Sequence, residues 1–209
     1  SNDRENLKGV FQKVCAIECE DDGVTFDAAS LELEPIAVEK KYPGTCVKVV
    51  AHLDTIVQKV SVDIGFGDVV TPYPLSLDYP LLLPGVLAVE LYAYSLETFI
   101  AEKFHAMVDR DESNSRMKDF FDVYQLFTNH EIDTELLAEA IVCTFKNRNT
   151  PYRENLALFT DKFAADSTRN VLWKAFLKKI RWKEQIDFSV VMKCVKENLQ
   201  EYWSRETLG

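Results

Sequence analysis
Four side chains in this sequence have the type and setting for phosphate or proton chemistry: Asp63, Lys103, Asp119 and Asp122. Asp63 stands in Val60-Ser61-Val62-Asp63-Ile64-Gly65-Phe66-Gly67-Asp68, a carboxylate among apolar neighbours on an expected strand. A buried acid there must be paired, hydrogen-bonded or bound to a cation. Strands that offer such an acid to Mg²⁺ are one way to build nucleotidyl-transfer sites. Strict alternation gives the plainer reading, in which Asp63 faces solvent beside Ser61 and Gly65. Lys103 lies between Ile100 and Phe104, so its stem crosses an apolar helical turn and its ammonium either snorkels or takes a carboxylate. Asp119 and Asp122 are three apart on one helical face, and Lys118 lies four before Asp122. An inter-helix salt bridge from Lys103 accounts for these residues. The functional alternative aims Lys103 at a nucleotide phosphate, with an aspartate orienting it.

Other groups carry weaker chemistry. Gly65-Phe66-Gly67-Asp68 has no Gly-Lys-Ser/Thr after it and no helix starting directly behind it, so it ends a strand rather than cradling phosphate. His105 has no Ser or Cys nucleophile to serve and reads as a partly exposed helix residue. Lys178-Lys179-Ile180-Arg181-Trp182-Lys183, with Arg148, Arg153 and Trp173, mixes cations and aromatics as RNA-binding surfaces do. The same mixture describes a solvated helix face beside buried tryptophans. Five scattered cysteines with no CxxC pair read as reduced thiols; only Cys15 and Cys19, four apart, leave room for a soft-metal pair.

Periodicity supplies the elements that must hold these residues. A helix is expected from Glu5 to about Ala16, with Leu7, Val10, Phe11 and Val14 as its apolar stripe. Extended segments follow at Val24–Ala28 and Leu31–Ile36, then a turn at Tyr42–Thr45 and two strands, Cys46–Leu53 and Lys59–Phe66. Prolines 72, 74, 80 and 84 punctuate an irregular crossing before a short strand at Leu87–Tyr92. Ser95 then caps a helix whose stripe is Leu96, Ile100, Phe104 and Met107. Further helices are expected at Met117–Phe127, from Asp133 through Phe145, over Arg153–Ile180 with a break near Asp166, and over Phe188–Trp203. The fold class is therefore α+β: a mixed or antiparallel sheet region over residues 1–94, then a helical region over 95–209 carrying the Lys and Asp motifs.

The chain has 209 residues with a formal net charge of −10, and nearly all of the acid excess lies in its first half. That excludes a generally basic nucleic-acid-coating protein and directs any polyanion-facing surface to the second half. The longest apolar stretch, Leu81–Val89, is too short and is broken by Pro84, so no membrane span is expected. The polar opening carries no secretory signal, and the reading is a soluble cytoplasmic protein.

Taken in order, Asp22-Gly23-Val24-Thr25-Phe26-Asp27, Tyr42-Pro43-Gly44-Thr45, Val62–Asp68, Glu97-Thr98 with Ala101-Glu102-Lys103-Phe104-His105-Ala106, and Arg116-Met117-Lys118-Asp119-Phe120-Phe121-Asp122 resemble the AbiEii/AbiGii-type nucleotidyltransferase toxins. The resemblance implies a polymerase-beta-like nucleotidyltransferase sheet followed by helices. It also implies nucleotide transfer from an NTP, with Mg²⁺, to an acceptor such as tRNA, and a cognate antitoxin as partner. Carried over by motif, Lys103 would contact the nucleotide, with Arg116 and Lys118 as further nucleotide-binding cations. Asp119 or Asp122 would be the acid of the last motif, and Asp63 the third strand carboxylate and metal ligand. The family's Gly-Ser turn and Asp-x-Asp pair should precede the Glu5 helix, and residues 1–4 hold neither. The expectation is a chain shortened at its N-terminus or a degenerate member, with little or no transfer of its own. The alternative function is a non-catalytic nucleotidyltransferase-like module that binds a partner protein or RNA.

Overall fold
The computed structural model describes residues 4–18, 23–36, 44–79 and 88–204. The expected turn at Tyr42-Pro43, residue Cys19 of the possible soft-metal pair, and most of the Leu81–Val89 stretch lie outside the described residues. The fold is α+β, with its strands in the first half and most of its helices in the second. It divides into two compact units, Ser1–Asp68 and Val69–Gly209.

In the first unit, helix α1 (Arg4–Cys15) covers one face of an antiparallel sheet ordered β1 (Val24–Ile36), β2 (Gly44–Leu53), β3 (Ile56–Gly65). Alternation decides the faces. Thr45, Val47, Val49 and Ala51 of β2 are buried, while Cys46, Lys48, Val50 and His52 point to the opposite, half-buried side. Leu31, Val47 and Val49 form the core, against which Leu7, Phe11 and Cys15 pack. The expected α1 stripe is thus shifted, because Val10 and Val14 are about half exposed.

The two extended segments expected at 24–28 and 31–36 are one bulged strand. Register slips between Asp27, opposite Val50, and Glu32, opposite Lys48. Side chains build the bulge: the Ala29 N–H donates to Asp27 Oδ1 (2.9 Å), the Ser30 hydroxyl donates to the Asp27 carbonyl (2.6 Å), and the Val50 N–H donates to Ser30 Oγ (2.8 Å). Pro35 is tolerated because β1 is an edge strand. A two-residue turn, Asp54-Thr55, joins β2 to β3. Past Gly65, Gly67 takes φ +86°, a left-handed conformation that suits glycine, and the chain leaves the sheet as expected.

The second unit opens with an antiparallel ribbon, β4 (Leu75–Tyr79) and β5 (Val89–Ala93). Its helices are α2 (Leu96–Arg110), α3 (Met117–Asn129), α4 (Thr134–Asn147), α5 (Asp161–Ala165), α6 (Ser167–Lys179) and α7 (Phe188–Leu199). Ser95 caps α2 by accepting from the Thr98 N–H (3.1 Å), and Asp133 caps α4 by accepting from Glu135 and Leu136. Asp166 caps α6, which explains the expected break there. The expected helix over Arg153–Thr160 does not form. Leu156, Leu158 and Phe159 are buried in a stretch whose helical part is a single 3-10 turn, Ala157–Phe159, and the Leu158 N–H donates to Asp111 Oδ1 (2.9 Å). Tertiary burial overrides local propensity at that point. Ile100, Phe104, Phe120, Ile141, Phe188 and Val195 are wholly buried, whereas Leu96 of the expected α2 stripe is 37% exposed. Among the described residues no helix is long and apolar enough to cross a membrane.

Candidate functional site
The strongest constellation forms where α2 meets α3. The Lys103 ammonium donates to Asp119 Oδ1 at 2.7 Å and lies 3.2 Å from Asp122 Oδ2. Arg116, just before α3, brings its Nε to 3.0 Å from Asp119 Oδ2, and Lys118 donates to Asp122 Oδ2 at 2.5 Å. Asp119 is wholly buried, Lys103 and Asp122 are each 17% exposed, and the Arg116 and Lys118 side chains reach solvent. Three cations thus surround two carboxylates, with the burial deepest at Asp119. The inter-helix salt bridge is therefore present.

The pairing leaves capacity for a ligand. An ammonium has three donors; Asp119 accepts one, while Asp122 is held as an ion pair with no hydrogen bond to Lys103 among the described residues. Its charge also lies 5.1 Å from the centre of the Phe99 ring, which backs it with a π face. Arg116 Nε meets Asp119 Oδ2 off the hydrogen-bond line, so this buried oxygen has no hydrogen bond among the described residues. Such an arrangement can hold a phosphate oxygen against Lys103 while the aspartates fix the ammonium.

Local sequence explains the positioning. Asn114, 1% exposed, accepts from the Arg116 N–H through Oδ1 (2.9 Å) and so fixes the entry to α3. Its Nδ2 has no acceptor among the described residues, and a small cleft lined by Asn114, Ser115, Thr168 and Arg169 adjoins it. The Glu97-Thr98 pair is structural. Glu97 Oε1 accepts from the Asp133 N–H at the start of α4 (3.1 Å), and the Thr98 hydroxyl donates to the Thr71 carbonyl (2.8 Å). Phe99 and Asn114 also build the site, Phe99 against Lys103 and Asn114 against Arg116, and no motif in the sequence announces them. A larger apolar groove of about 980 Å³, floored by Leu158, Phe159 and Met192, is lined by none of the expected site residues.

Asp63 lies in the sheet unit, on the exposed face of β3 opposite Cys46. Its hydrogen bond to the Cys46 thiol, helped by desolvation, pushes that thiol above its usual pKa. Glu34 pairs with Lys48 and Glu32 with Lys59 on the same open face. No group of three His, Cys, Asp or Glu side chains converges to hold a metal among the described residues. Asp63 has a thiol and a charged lattice around it, and Asp119 is committed to Lys103 and Arg116, so the residues present do not fit a divalent-cation site.

Several other candidate side chains are committed within the helical unit. His105 is buried rather than partly exposed; its Nε2 lies 2.7 Å from the Thr150 hydroxyl and its ring stands edge-on to Phe145. Arg148 pairs with Glu102 (2.9 Å), Arg153 donates to the Val108 carbonyl, and Trp173 is buried with its indole N–H on the Ile186 carbonyl (2.7 Å). These three belong to the framework. The Cys15, Cys46, Cys143 and Cys194 thiols are free.

In this α+β chain the Lys-Asp-Asp cluster lies between the first two helices of the helical unit. The sequence profile of the family described as nucleotidyl transferase AbiEii toxin, Type IV TA system, matches residues 1–193, and the chain belongs to that family. It is thus placed among nucleotidyltransferase toxins of type IV toxin–antitoxin systems, which implies a nucleotide substrate and an antitoxin counterpart. Comparison with curated proteins gives no match.

Proposed function
We propose a nucleotidyltransferase that moves a nucleotide from an NTP to an RNA acceptor such as tRNA, with little or no transfer by these 209 residues alone and with the α2–α3 cluster as its phosphate-binding end. One observation carries this reading: the Lys103 ammonium is bonded to a wholly buried Asp119 and ion-paired with the largely buried Asp122, with donors to spare among the described residues. Lys103 takes a phosphate oxygen of the NTP, and Arg116 and Lys118 add charge on the solvent side. Asp119 and Asp122 keep the ammonium aimed. Asp63 is proposed only as a carboxylate of the sheet unit. Family chemistry generally uses a divalent metal, but the described residues assemble no set of ligands for Mg²⁺, and no step is routed through it.

The cluster's internal pairing favours a second reading, a module that binds nucleotide or RNA without transferring it. Isothermal titration with each NTP, with and without Mg²⁺, and labelled-nucleotide transfer to tRNA separate the two. Binding should weaken about tenfold in Arg116→Ala, the loss of roughly one charge-assisted contact, and more in Lys103→Met. Labelled tRNA supports transfer; NTP binding without label supports the module. Absence of both ends the phosphate reading of the cluster.

A further inference from the structure
Residues 167–183 hold six cations and no acid, in a chain whose formal net charge is −10. Arg169 is used internally, against Asp166 and the Phe163 ring. The other five, Lys174, Lys178, Lys179, Arg181 and Lys183, are exposed and make no ion pair among the described residues. On α6, Lys174, Lys178 and Lys179 occupy the solvent side, opposite the buried Trp173 and Leu177. Arg181 and Lys183 continue the patch past the helix end. There the negative pole of the helix favours cations, but it does not require five.

The helix end shows that Arg181 is kept at a structural cost. The Arg181 N–H donates to the Lys178 carbonyl (3.1 Å) and the Trp182 N–H to the Leu177 carbonyl (3.0 Å). This is a Schellman cap, whose left-handed residue is usually glycine. Arg181 occupies that position with φ +55°. Trp182, the next residue of the cap, packs edge-on against Phe121 at 5.0 Å. Both tryptophans of this region are therefore committed to the core, so the patch offers charge without a free ring on which a base could stack.

We infer that this α6 face binds the phosphate backbone of base-paired RNA, the folded part of the acceptor, and not an unpaired strand. Unpaired strands are held by stacking as well as charge, whereas a paired stem presents chiefly phosphates and 2′-hydroxyls. The reaction site lies close by within the same unit. Helix α3 carries Lys118, Asp119 and Asp122, and its Phe121 packs on Trp173, Phe176 and Trp182. One helix thus separates the two, so an RNA stem resting on α6 can direct its end toward the Lys103 cluster. The inference rests on the proposed RNA acceptor, but its test does not require transfer.

Binding of the whole chain to a fluorescent RNA hairpin, to an unpaired strand of equal length and to anionic-lipid vesicles is measured across a salt series. Lys174→Gln/Lys178→Gln/Lys179→Gln should weaken hairpin binding by about tenfold or more and reduce the salt slope by roughly two to three, the share of three phosphate contacts. Arg181→Gly relieves the left-handed strain, so it should melt no lower than the wild type while binding the hairpin several-fold more weakly. That split separates a binding role from a folding role. Preference for the unpaired strand, unchanged hairpin affinity in the triple variant, or patch-dependent capture of vesicles in place of RNA overturns the inference. Patch-dependent hairpin binding without any nucleotide transfer upholds it and counts against the catalytic reading instead.

Discussion

The two compact units use opposite charges in different ways. On the sheet unit, Lys48–Glu34 and Lys59–Glu32 lie on an open face, over a core made of Leu31, Val47 and Val49. In the helical unit, Lys103 and Arg116 converge on an aspartate with no exposure, beside a core of wholly buried phenylalanines. Water screens the first kind of pair and makes it cheap to lose. The second kind cannot lose one partner without leaving a charge stranded in a dry place. Ion pairs of similar length thus decorate one unit and constrain the other, and the residues proposed to act on phosphate are among those that constrain.

The comparison is most exposed to failure at Asp119. Lys103→Met should destabilise the helical unit by about 3–5 kcal/mol, since the wholly buried Asp119 loses the ammonium bonded to it. Lys103→Met with Asp119→Leu should recover most of that loss. Calorimetry of both variants would show it, and a loss below about 1 kcal/mol would mean the cluster is wetter than its burial implies. A smaller effect is expected for Leu31→Ala in the sheet unit, about 2 kcal/mol at the low end for such truncations, because most of its neighbours are only partly buried. Hydrogen exchange should place that loss in β1–β3 and leave α2–α4 protected; deprotection of both would show that the units unfold together.

The smallest effect probes Asp63. Its carboxylate accepts from the Cys46 thiol and raises the thiol's pKa, so Asp63→Asn should lower it. More thiolate would then be present at pH 8 to 9, and alkylation of Cys46, followed by mass spectrometry, should run a few times faster. An unchanged rate would show that desolvation, the second cause, sets the thiol's behaviour.

Much of the helical unit is readable from local chemistry. Ser95 and Asp133 announce two helix starts by type and position, Asp166 marks a break, and the spacing of Lys103, Asp119 and Asp122 anticipates their meeting. What escapes the sequence depends on partners distant along the chain. Asp27 and Ser30 form a bulge only because Val50 presents its N–H to Ser30. Leu156, Leu158 and Phe159 give up a helix because the core beneath them takes their side chains. Arg148, Arg153 and Trp173 look like a nucleic-acid surface by composition, and only Glu102, Val108 and Ile186 reveal them as framework. For Asp63, alternation and apolar flanks give opposing signals, and the exposed face follows alternation.

Residues 88–204 contain no glycine at all, and the left-handed corners of this stretch are taken by Asp111, Asn149 and Arg181. In the folded state each such corner is a local cost. In the denatured state the same composition acts the other way, because a chain without glycine has fewer conformations to lose, about 0.4–1 kcal/mol for each glycine avoided at an unstrained position. Part of what keeps the helical unit folded is therefore a property of its unfolded chain and corresponds to no contact in the structure.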